Sequence, residues 1–449
     1  MRPHTKKLYL IMSVFSFLAA LPLPACCGEA AAPYRLTMEE AIGKGLQANI
    51  NVLVAETRLR EAEGTRERRL SGYLPRARLE TPFAYQTINT QFQGLSLPNI
   101  PRVVGPFTTY DFRVRVDQTL LDLQNYHSLK ASEKDQLARH HDYQDIHSLI
   151  IRQIAGLYLR SESAQAQAVA AESRVQYART LEQLARDQRN AGVATGLDVL
   201  RAQVQLANDR QSLLVAQNAT KQALLVLARN IGFSPGTPLE LADTLEYRPI
   251  NPPLLEEALP GALQGRADYR SLLAQRESLQ EQIKSSRSRF LPRVTLSGNY
   301  GAGGQHLDEL DATGAVQANL VFTLYDRDRE GEHKELASRL SRVERQLADQ
   351  RLGIEQDIRE AMLNLESAAE QVKVAQAGLE LAQQALQLSG ERFKHGVADN
   401  VEVVNAQDYL ARAQQNFIIA LTSHVDAKIA LARSLGDTEK TYKTFLGIE

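Results

Sequence analysis

Residues 110–117 are Tyr-Asp-Phe-Arg-Val-Arg-Val-Asp, a stretch in which apolar or aromatic side chains alternate with charged ones. Side chains of a β-strand point to opposite faces in turn, so this stretch predicts a strand with one apolar and one charged face. The alternation recurs at 316–324, and shorter alternating stretches begin at Ala77 and Val294. The pattern predicts four strands of about ten residues, paired through loops at Gln86–Pro106 and Gly301–Gly314.

Strands of this length, apolar on one face and polar on the other, match those of a transmembrane β-barrel. In lipid every backbone N–H and C=O must be hydrogen-bonded, so such a sheet has to close on itself. Four strands are too few, because the smallest such barrels have about eight. The pattern therefore predicts that several chains share one sheet. Two hairpins that cap a coiled coil are the alternative that this step leaves open.

The chain contains one unit twice. Tyr73-Leu74-Pro75-Arg76 corresponds to Phe290-Leu291-Pro292-Arg293, and Gly192-Val193-Ala194 corresponds to Gly396-Val397-Ala398. Self-similarity along nearly the whole chain predicts two equivalent halves. The predicted boundaries are a first repeat at 34–232 (helix, β-hairpin 76–117, long helix hairpin 123–231), a proline-rich linker at 233–253, a second repeat at 254–436 (helix, β-hairpin 293–324, long helix hairpin 326–435) and a tail at 437–449.

Proline is absent from Phe107 to Ser234 and after Pro292, which permits very long helices there. From Leu336 onward, apolar residues recur in alternating steps of three and four, which is the heptad pattern of a coiled coil. We predict a helix over 326–393, about 100 Å long, and its counterpart over about 123–188.

The N-terminus has the three features of an export signal. Basic residues precede an apolar run at 8–20, which is too short to span a bilayer, and prolines follow it. We predict a signal peptide at 1–25. Cleavage before Cys26, with lipidation of that cysteine, and cleavage near residue 32 both remain open.

Charge and cysteine content exclude several classes of protein. The 449 residues include 52 Lys and Arg against 53 Asp and Glu, so a strongly basic nucleic-acid binder is excluded. The two cysteines are adjacent, which excludes a disulfide framework and a cysteine-rich metal site. Gly301–Gly304 lacks the lysine of a phosphate-binding loop, and the histidines at 140, 141 and 147 lack a ligand motif. We expect no enzymatic activity, no cofactor and no metal site.

The whole mature chain resembles the TolC family of outer-membrane efflux proteins. The resemblance depends on duplicated elements in a fixed order: E-E-A, [YF]-L-P-R, L-[LY]-D and G-V-A followed by A-Q. It implies a mostly α-helical membrane protein that forms a homotrimer. In this trimer a 12-stranded transmembrane β-barrel, with four strands from each chain, continues into a long periplasmic α-helical barrel.

The resemblance also implies a function. The chain would be the outer-membrane channel of a tripartite efflux or type I secretion system, in contact with outer-membrane lipid. It would be a passive exit duct for small molecules or polypeptides, joined by a periplasmic adaptor to an inner-membrane pump of the RND or ABC type. A periplasmic coiled-coil scaffold or adaptor without a pore is the alternative, although adaptors usually carry one hairpin and a lipoyl-like domain. A secreted enzyme is the third hypothesis.

The expected functional residues lie where the long helices reverse. The resemblance implies that the tips contact the adaptor, which assigns docking to Gly192, Val193, Ala194, Gly396, Val397 and Ala398. It also implies a periplasmic gate at Glu402, with Asn405 in place of a second acid, and Asp198 is the acid in the first repeat. Acids repeated around a narrow pore select cations. A plain helix-hairpin loop, with acids favoured by the helix dipole, is the alternative.

Overall fold

The computed structural model describes residues 33–90, 101–243, 246–395, 397, 400–436 and 438–446. The predicted signal peptide, Cys26, Gly396 and Ala398 lie outside these residues. The described helices are α1 (Met38–Ala48), α2 (Ile50–Leu70), α3 (Leu123–Asn190), α4 (Gly196–Asn230), α5 (Leu255–Gly265), α6 (Ala267–Arg287), α7 (Asp328–Lys394), α8 (Asn400–Ser434) and α9 (Thr438–Leu446). The strands are β1 (Tyr34–Leu36), β2 (Arg76–Glu80), β3 (Phe83–Asn89), β4 (Val103–Leu121), β5 (Leu239–Leu241), β6 (Arg293–His306) and β7 (Glu309–Val321).

Two helices of 68 and 67 residues, α3 and α7, dominate the molecule, and α4 and α8 fold back along them. The buried side chains of α7 follow the predicted heptads, and Ile354 and Ile358 are fully buried. At 1.5 Å per residue each long helix extends about 100 Å. In the described ranges no helix qualifies as a candidate membrane span.

The main sheet is antiparallel. Both β2 and β3 pair with β4, which pairs with β6, and β6 pairs with β7. The first predicted strand is therefore two short strands, separated by Thr81 and Pro82. Proline has no N–H for the ladder, which accounts for the break at this point.

The predicted loop at Gly301–Gly314 is wrong. Strand β6 continues to His306 and β7 begins at Glu309, so only Leu307 and Asp308 form the turn. A Cβ on Gly301 would collide with the carbonyl oxygen of Phe112 on the neighbouring strand. These glycines allow close approach of two backbones within the sheet. A glycine-rich composition is also typical of loops, so composition alone does not distinguish the two.

The predicted loop at Gln86–Pro106 is also too long. Strand β3 extends to Asn89 and β4 begins at Val103. The two strands bridge again at Asn89 and Val103 after a register shift between Gln86 and Ile88.

The single helix expected before each hairpin is a pair of helices. In the first repeat α1 ends before Asn49, whose side chain accepts a hydrogen bond from the N–H of Asn51 at 2.9 Å and caps α2. In the second repeat α5 and α6 meet at Arg266, whose backbone is extended. A capping side chain and an extended residue each interrupt a helix without a proline.

The segment predicted as a linker contributes to the largest core. Strand β5 pairs in parallel with β1, and both pack beside α1, α3 and α8. The fully buried Tyr158 donates a hydrogen bond from its hydroxyl to the carbonyl oxygen of Leu36 at 3.0 Å. This core joins the start of the first repeat to the segment that follows the repeat.

Candidate functional site

One face of the sheet is charged. Arg76 lies opposite Asp117 in the register of β2 and β4, and Arg78 lies opposite Arg115, so all four share a face. Ion pairs on this face join Arg78 with Asp117 (2.6 Å), Arg115 with Glu80 (3.1 Å) and Arg113 with Asp111 (2.6 Å). Continuing across β6 and β7, the same face carries polar side chains such as Ser297 and Gln317.

The opposite face of the sheet is apolar and uncovered in the single chain. The side chains of Leu79, Phe83 and Val316 are exposed by 71%, 76% and 80%. A contiguous apolar surface of this kind marks contact with a membrane or a partner. The predicted alternation of the strands is thus confirmed as two chemically distinct faces.

Both edges of this sheet are unpaired in the part of the chain that the structure describes. Within the described residues β7 pairs only with β6, and β2 and β3 pair only with β4. The outer strands therefore present backbone N–H and C=O groups that another strand can bond.

The turn between α3 and α4 closes through backbone hydrogen bonds. Gly192 has φ +78°, and its N–H donates to the carbonyl oxygen of Arg189 at 2.9 Å. The N–H of Val193 donates to the carbonyl oxygen of Gln188 at 2.8 Å, and together these bonds form a Schellman motif. Glycine is required at this positive φ. The side chain of Val193 is 68% exposed, which leaves an apolar residue at the tip.

Asp198 belongs to a capping box at the start of α4. Its backbone N–H donates to Thr195 Oγ1 at 3.3 Å, and its carboxylate accepts from the Thr195 N–H at 2.9 Å and from the Thr195 hydroxyl at 2.6 Å. The hydrogen bonds from the Thr195 side chain and backbone hold the pKa of the Asp198 carboxyl below its usual value. The structure thus gives Asp198 a helix-capping function.

The second tip follows the same plan where it is described. The N–H of Val397 donates to the carbonyl oxygen of Arg392 at 2.9 Å, the equivalent of the Val193 bond in the first repeat. Val397 is 69% exposed. Gly396 and Ala398, which complete this tip in the sequence, lie outside the described residues.

Glu402 is held by a partner across the turn. Arg392, near the end of α7, donates from Nη1 to Glu402 Oε1 at 2.7 Å. Next to Glu402, Val403 is fully buried against Leu181 of α3, which fixes the first turn of α8 in place. Asn405 is exposed on the turn that follows. Sequence reasoning missed Arg392 because its role depends on the fold of the intervening turn.

The histidines that the sequence singled out do not come together as a metal centre. Across the described ranges, no three side chains of His, Cys, Asp or Glu are grouped so as to hold a metal ion. The rings of His140 and His141 lie 5.8 Å apart, and His147 contacts the ring of Tyr143 instead.

Two long helix hairpins, together with one two-faced sheet that is built from both halves of the chain, match the single-chain architecture that the sequence resemblance implies. The profile of the outer membrane efflux protein family matches residues 41–232 and again 258–437. The chain belongs to the outer membrane efflux protein family.

Known proteins of similar sequence carry efflux and export names. The chain is 25% identical over 315 residues to the pyoverdine export outer membrane protein OpmQ of Pseudomonas aeruginosa, covering 69% of this chain and 64% of that relative's length. It is 24% identical over 360 residues to the toluene efflux pump outer membrane protein TtgF of Pseudomonas putida, covering 76% of this chain and 74% of the relative.

Solved structures share the fold. The outer membrane protein VceC of Vibrio cholerae superimposes with a TM-score of 0.76 at 19% identity, over 89% of this chain and 96% of that one. The CmeC outer membrane channel of Campylobacter jejuni gives a TM-score of 0.76 at 15% identity, over 91% of this chain and 89% of that one. At these identities the likeness establishes the fold.

Proposed function

We propose that this chain is the outer-membrane channel of a tripartite efflux or type I secretion system. Three copies form a passive exit duct for small molecules or polypeptides, and a periplasmic adaptor connects it to an inner-membrane pump of the RND or ABC type. The observation that carries this proposal is the sheet, because it combines an apolar face, a charged face and two unpaired edges.

The edges explain why the assembly contains several chains. In lipid an unpaired strand edge leaves backbone groups without hydrogen bonds, so β7 of one copy has to pair with β2 and β3 of the next. Since β2 and β3 together occupy one position beside β4, each copy supplies four strand positions. Three copies then give 12 strands, within the range of known transmembrane barrels. The apolar face is directed to lipid and the charged face lines the lumen.

The long helices extend the duct into the periplasm. With α3 and α7 each about 100 Å long, three copies supply a helical barrel that ends at the two turns. We place the docking surface for the adaptor at these turns: Gly192, Val193, Ala194, Gly396, Val397 and Ala398. The exposed Val193 and Val397 provide apolar contacts there. Lipidation of Cys26 would add an anchor at the other end of the chain.

The gate is proposed at the start of α8. Threefold symmetry places three Glu402 carboxylates around the axis, each oriented by its own Arg392. Asn405 forms the next ring as a neutral hydrogen-bonding residue, and Asp198 contributes charge from the first repeat while it caps α4. Rings of acids at a narrow pore attract cations.

The proposal is tested on protein extracted in detergent from the outer membrane. We expect native mass spectrometry to find three chains per particle, and planar bilayers to show discrete conductance steps. A particle that remains a monomer in the periplasmic extract and never conducts would contradict the proposal.

A further inference from the structure

A cavity of 450 Å³ lies where the sheet meets the long helix α3, and its lining is basic. The charged residues around it are four arginines and two carboxylates: Arg69, Arg76, Arg78, Arg293, Asp117 and Asp122. The side chains of Thr295 and Ser128 add hydroxyl groups to the lining. Positive charge therefore exceeds negative charge in this cavity.

The two carboxylates already have partners. Asp117 accepts a hydrogen bond from Arg78 at 2.6 Å. Asp122 caps α3 by accepting from the backbone N–H of Asn125 at 2.9 Å. Within the described part of the chain, the side chains of Arg69, Arg76 and Arg293 form no ion pair, although all three are exposed around one cavity. Three guanidinium groups are thus available to an external anion.

Arg76 and Arg293 lie on the polar face of the sheet, and Arg69 lies near the end of α2, beside the same cavity. Arg76 is opposite Asp117 in β4, and Arg293 is on the same face as Ser297, which is also opposite Asp117. The apolar face that would contact lipid is the reverse side. A lipid headgroup would therefore have to reach around the sheet, whereas a solute in the lumen meets the arginines directly.

The two halves of the chain place equivalent residues here. Arg76 ends the motif Tyr-Leu-Pro-Arg of the first repeat, and Arg293 ends the motif Phe-Leu-Pro-Arg of the second. Three copies of the chain would therefore arrange six equivalent arginines around the axis, with three copies of Arg69 beside them. Positive charges repeated around a pore produce a stronger electrostatic potential than one exposed arginine on a convex surface.

We propose that Arg69, Arg76 and Arg293, which together we call the arginine belt, bind the anionic groups of cargo. The duct would then accept small molecules with carboxylate, phosphate or sulfonate oxygens. The inference rests on the proposed function, because it assigns the polar face to the lumen. A guanidinium group binds such oxygens through two parallel hydrogen bonds, which a single ammonium group does not reproduce. The belt gives an anionic solute a binding step between the helical barrel and the exit.

The test uses the detergent-solubilised trimer, with citrate as the probe in isothermal titration calorimetry. The triple variant Arg69→Gln, Arg76→Gln, Arg293→Gln should bind citrate about tenfold more weakly or worse, since even one charge-assisted hydrogen bond accounts for that much. The control variant Arg342→Gln, Arg345→Gln, Arg351→Gln removes the same charge from exposed positions on α7 and should bind as the wild type does.

A second variant distinguishes the loss of arginine hydrogen bonds from misfolding. Replacing the three belt arginines by lysine keeps the charge but loses the paired hydrogen bonds, so citrate affinity should fall to a value between wild type and the glutamine variant. Native mass spectrometry verifies that each variant is a trimer. In planar bilayers of neutral lipid, citrate should reduce the wild-type current more than that of the glutamine variant.

Three results would overturn the inference. The first is a conducting wild-type trimer that does not bind citrate, and the second is equal affinity in the glutamine variant. The third is arginine-dependent binding to phosphatidylglycerol vesicles without binding to citrate, which would assign the arginines to lipid. A wild-type protein that forms neither trimers nor channels would instead refute the proposed function.

Discussion

A charge placed on the apolar face of the sheet should prevent membrane assembly, whereas the same charge one residue further along should not. Val316 is the eighth of the 13 residues of β7, near the middle of the strand, and its side chain is 80% exposed. Gln317 follows it and points to the charged face. The pair Val316→Arg and Gln317→Arg therefore compares identical chemistry on the two faces.

The free-energy cost of the charge depends on how deep it lies in the membrane. An arginine on the lipid face near the middle of a membrane strand costs about 2–4 kcal/mol. Because the proposed trimer contains the substitution three times, the total cost is about 6–12 kcal/mol. Val316 lies opposite Gly298, and a Cβ at that glycine would be 3.9 Å from Val316 Cγ2, so steric conflict within the sheet adds little. Gln317→Arg places its charge among polar side chains in water and should cost less than about 1 kcal/mol.

The assay is urea titration of protein folded into phospholipid vesicles, together with the yield of trimer from the outer membrane. We expect Val316→Arg to lose most of the trimer, and Gln317→Arg to retain wild-type yield and midpoint. Equal behaviour of the two variants would refute the assignment of one face to lipid. A greater loss of trimer for Gln317→Arg than for Val316→Arg would assign the opposite face to lipid.

Three further substitutions test the helical part. Glu402→Ala should weaken block of the channel by divalent cations in planar bilayers. The control is Glu370→Ala, which removes an exposed acid within α7. Unchanged block in Glu402→Ala would exclude Glu402 from the gate. Thr195→Ala should destabilise the start of α4 by about 1 kcal/mol and speed amide hydrogen exchange in its first turn about fivefold. The control Thr220→Ala, within the same helix, should not speed exchange in that turn. An unchanged exchange rate in Thr195→Ala would exclude the capping role. Burial lowers the pKa of His424 to about 4, and the unfolded chain takes up this proton near pH 6.5. The free energy of unfolding should therefore fall as pH drops from about 6.5 to about 4. In denaturant titrations His424→Phe should reduce this pH dependence. An unaltered pH dependence in the variant would assign the effect to other groups.

The long helices were predictable because their signals are local and repeated. Absence of proline and a sustained heptad pattern placed α3 and α7 to within a few residues, and Ile354 and Ile358 are buried as the heptads require. The pairing of β1 with β5 was not predictable. It joins three-residue strands more than 200 positions apart, and neither strand has a pattern of its own.

The glycines at 301–304 show a limit of a different kind. Composition suggests a loop, but the requirement is close contact between β6 and β4, which appears only when the strands are paired. Sequence reasoning therefore centred the turn correctly but made it too long at both ends.

The candidate site was predictable only as positions along the chain. The turns of the helix hairpins lie where the sequence predicts them, and the gate functions of Asp198 and Glu402 stay predictions. The partner of Glu402 and the cap formed by Thr195 depend on how each turn folds. The arginine belt was missed for a related reason. Arg69, Arg76 and Arg293 come from three elements in two repeats, and only the sheet brings them to one cavity.

The two faces of the sheet should meet different solvents, lipid on the apolar side and water on the charged side. Nitroxide labels at each residue of 315–320, in a chain whose two native cysteines are replaced by serine, would measure this directly in vesicles. We expect oxygen, which partitions into lipid, to relax labels at Val316, Ala318 and Leu320, and a water-soluble nickel complex to relax those at Ala315, Gln317 and Asn319. Equal access of the nickel complex to all six positions would contradict the claim.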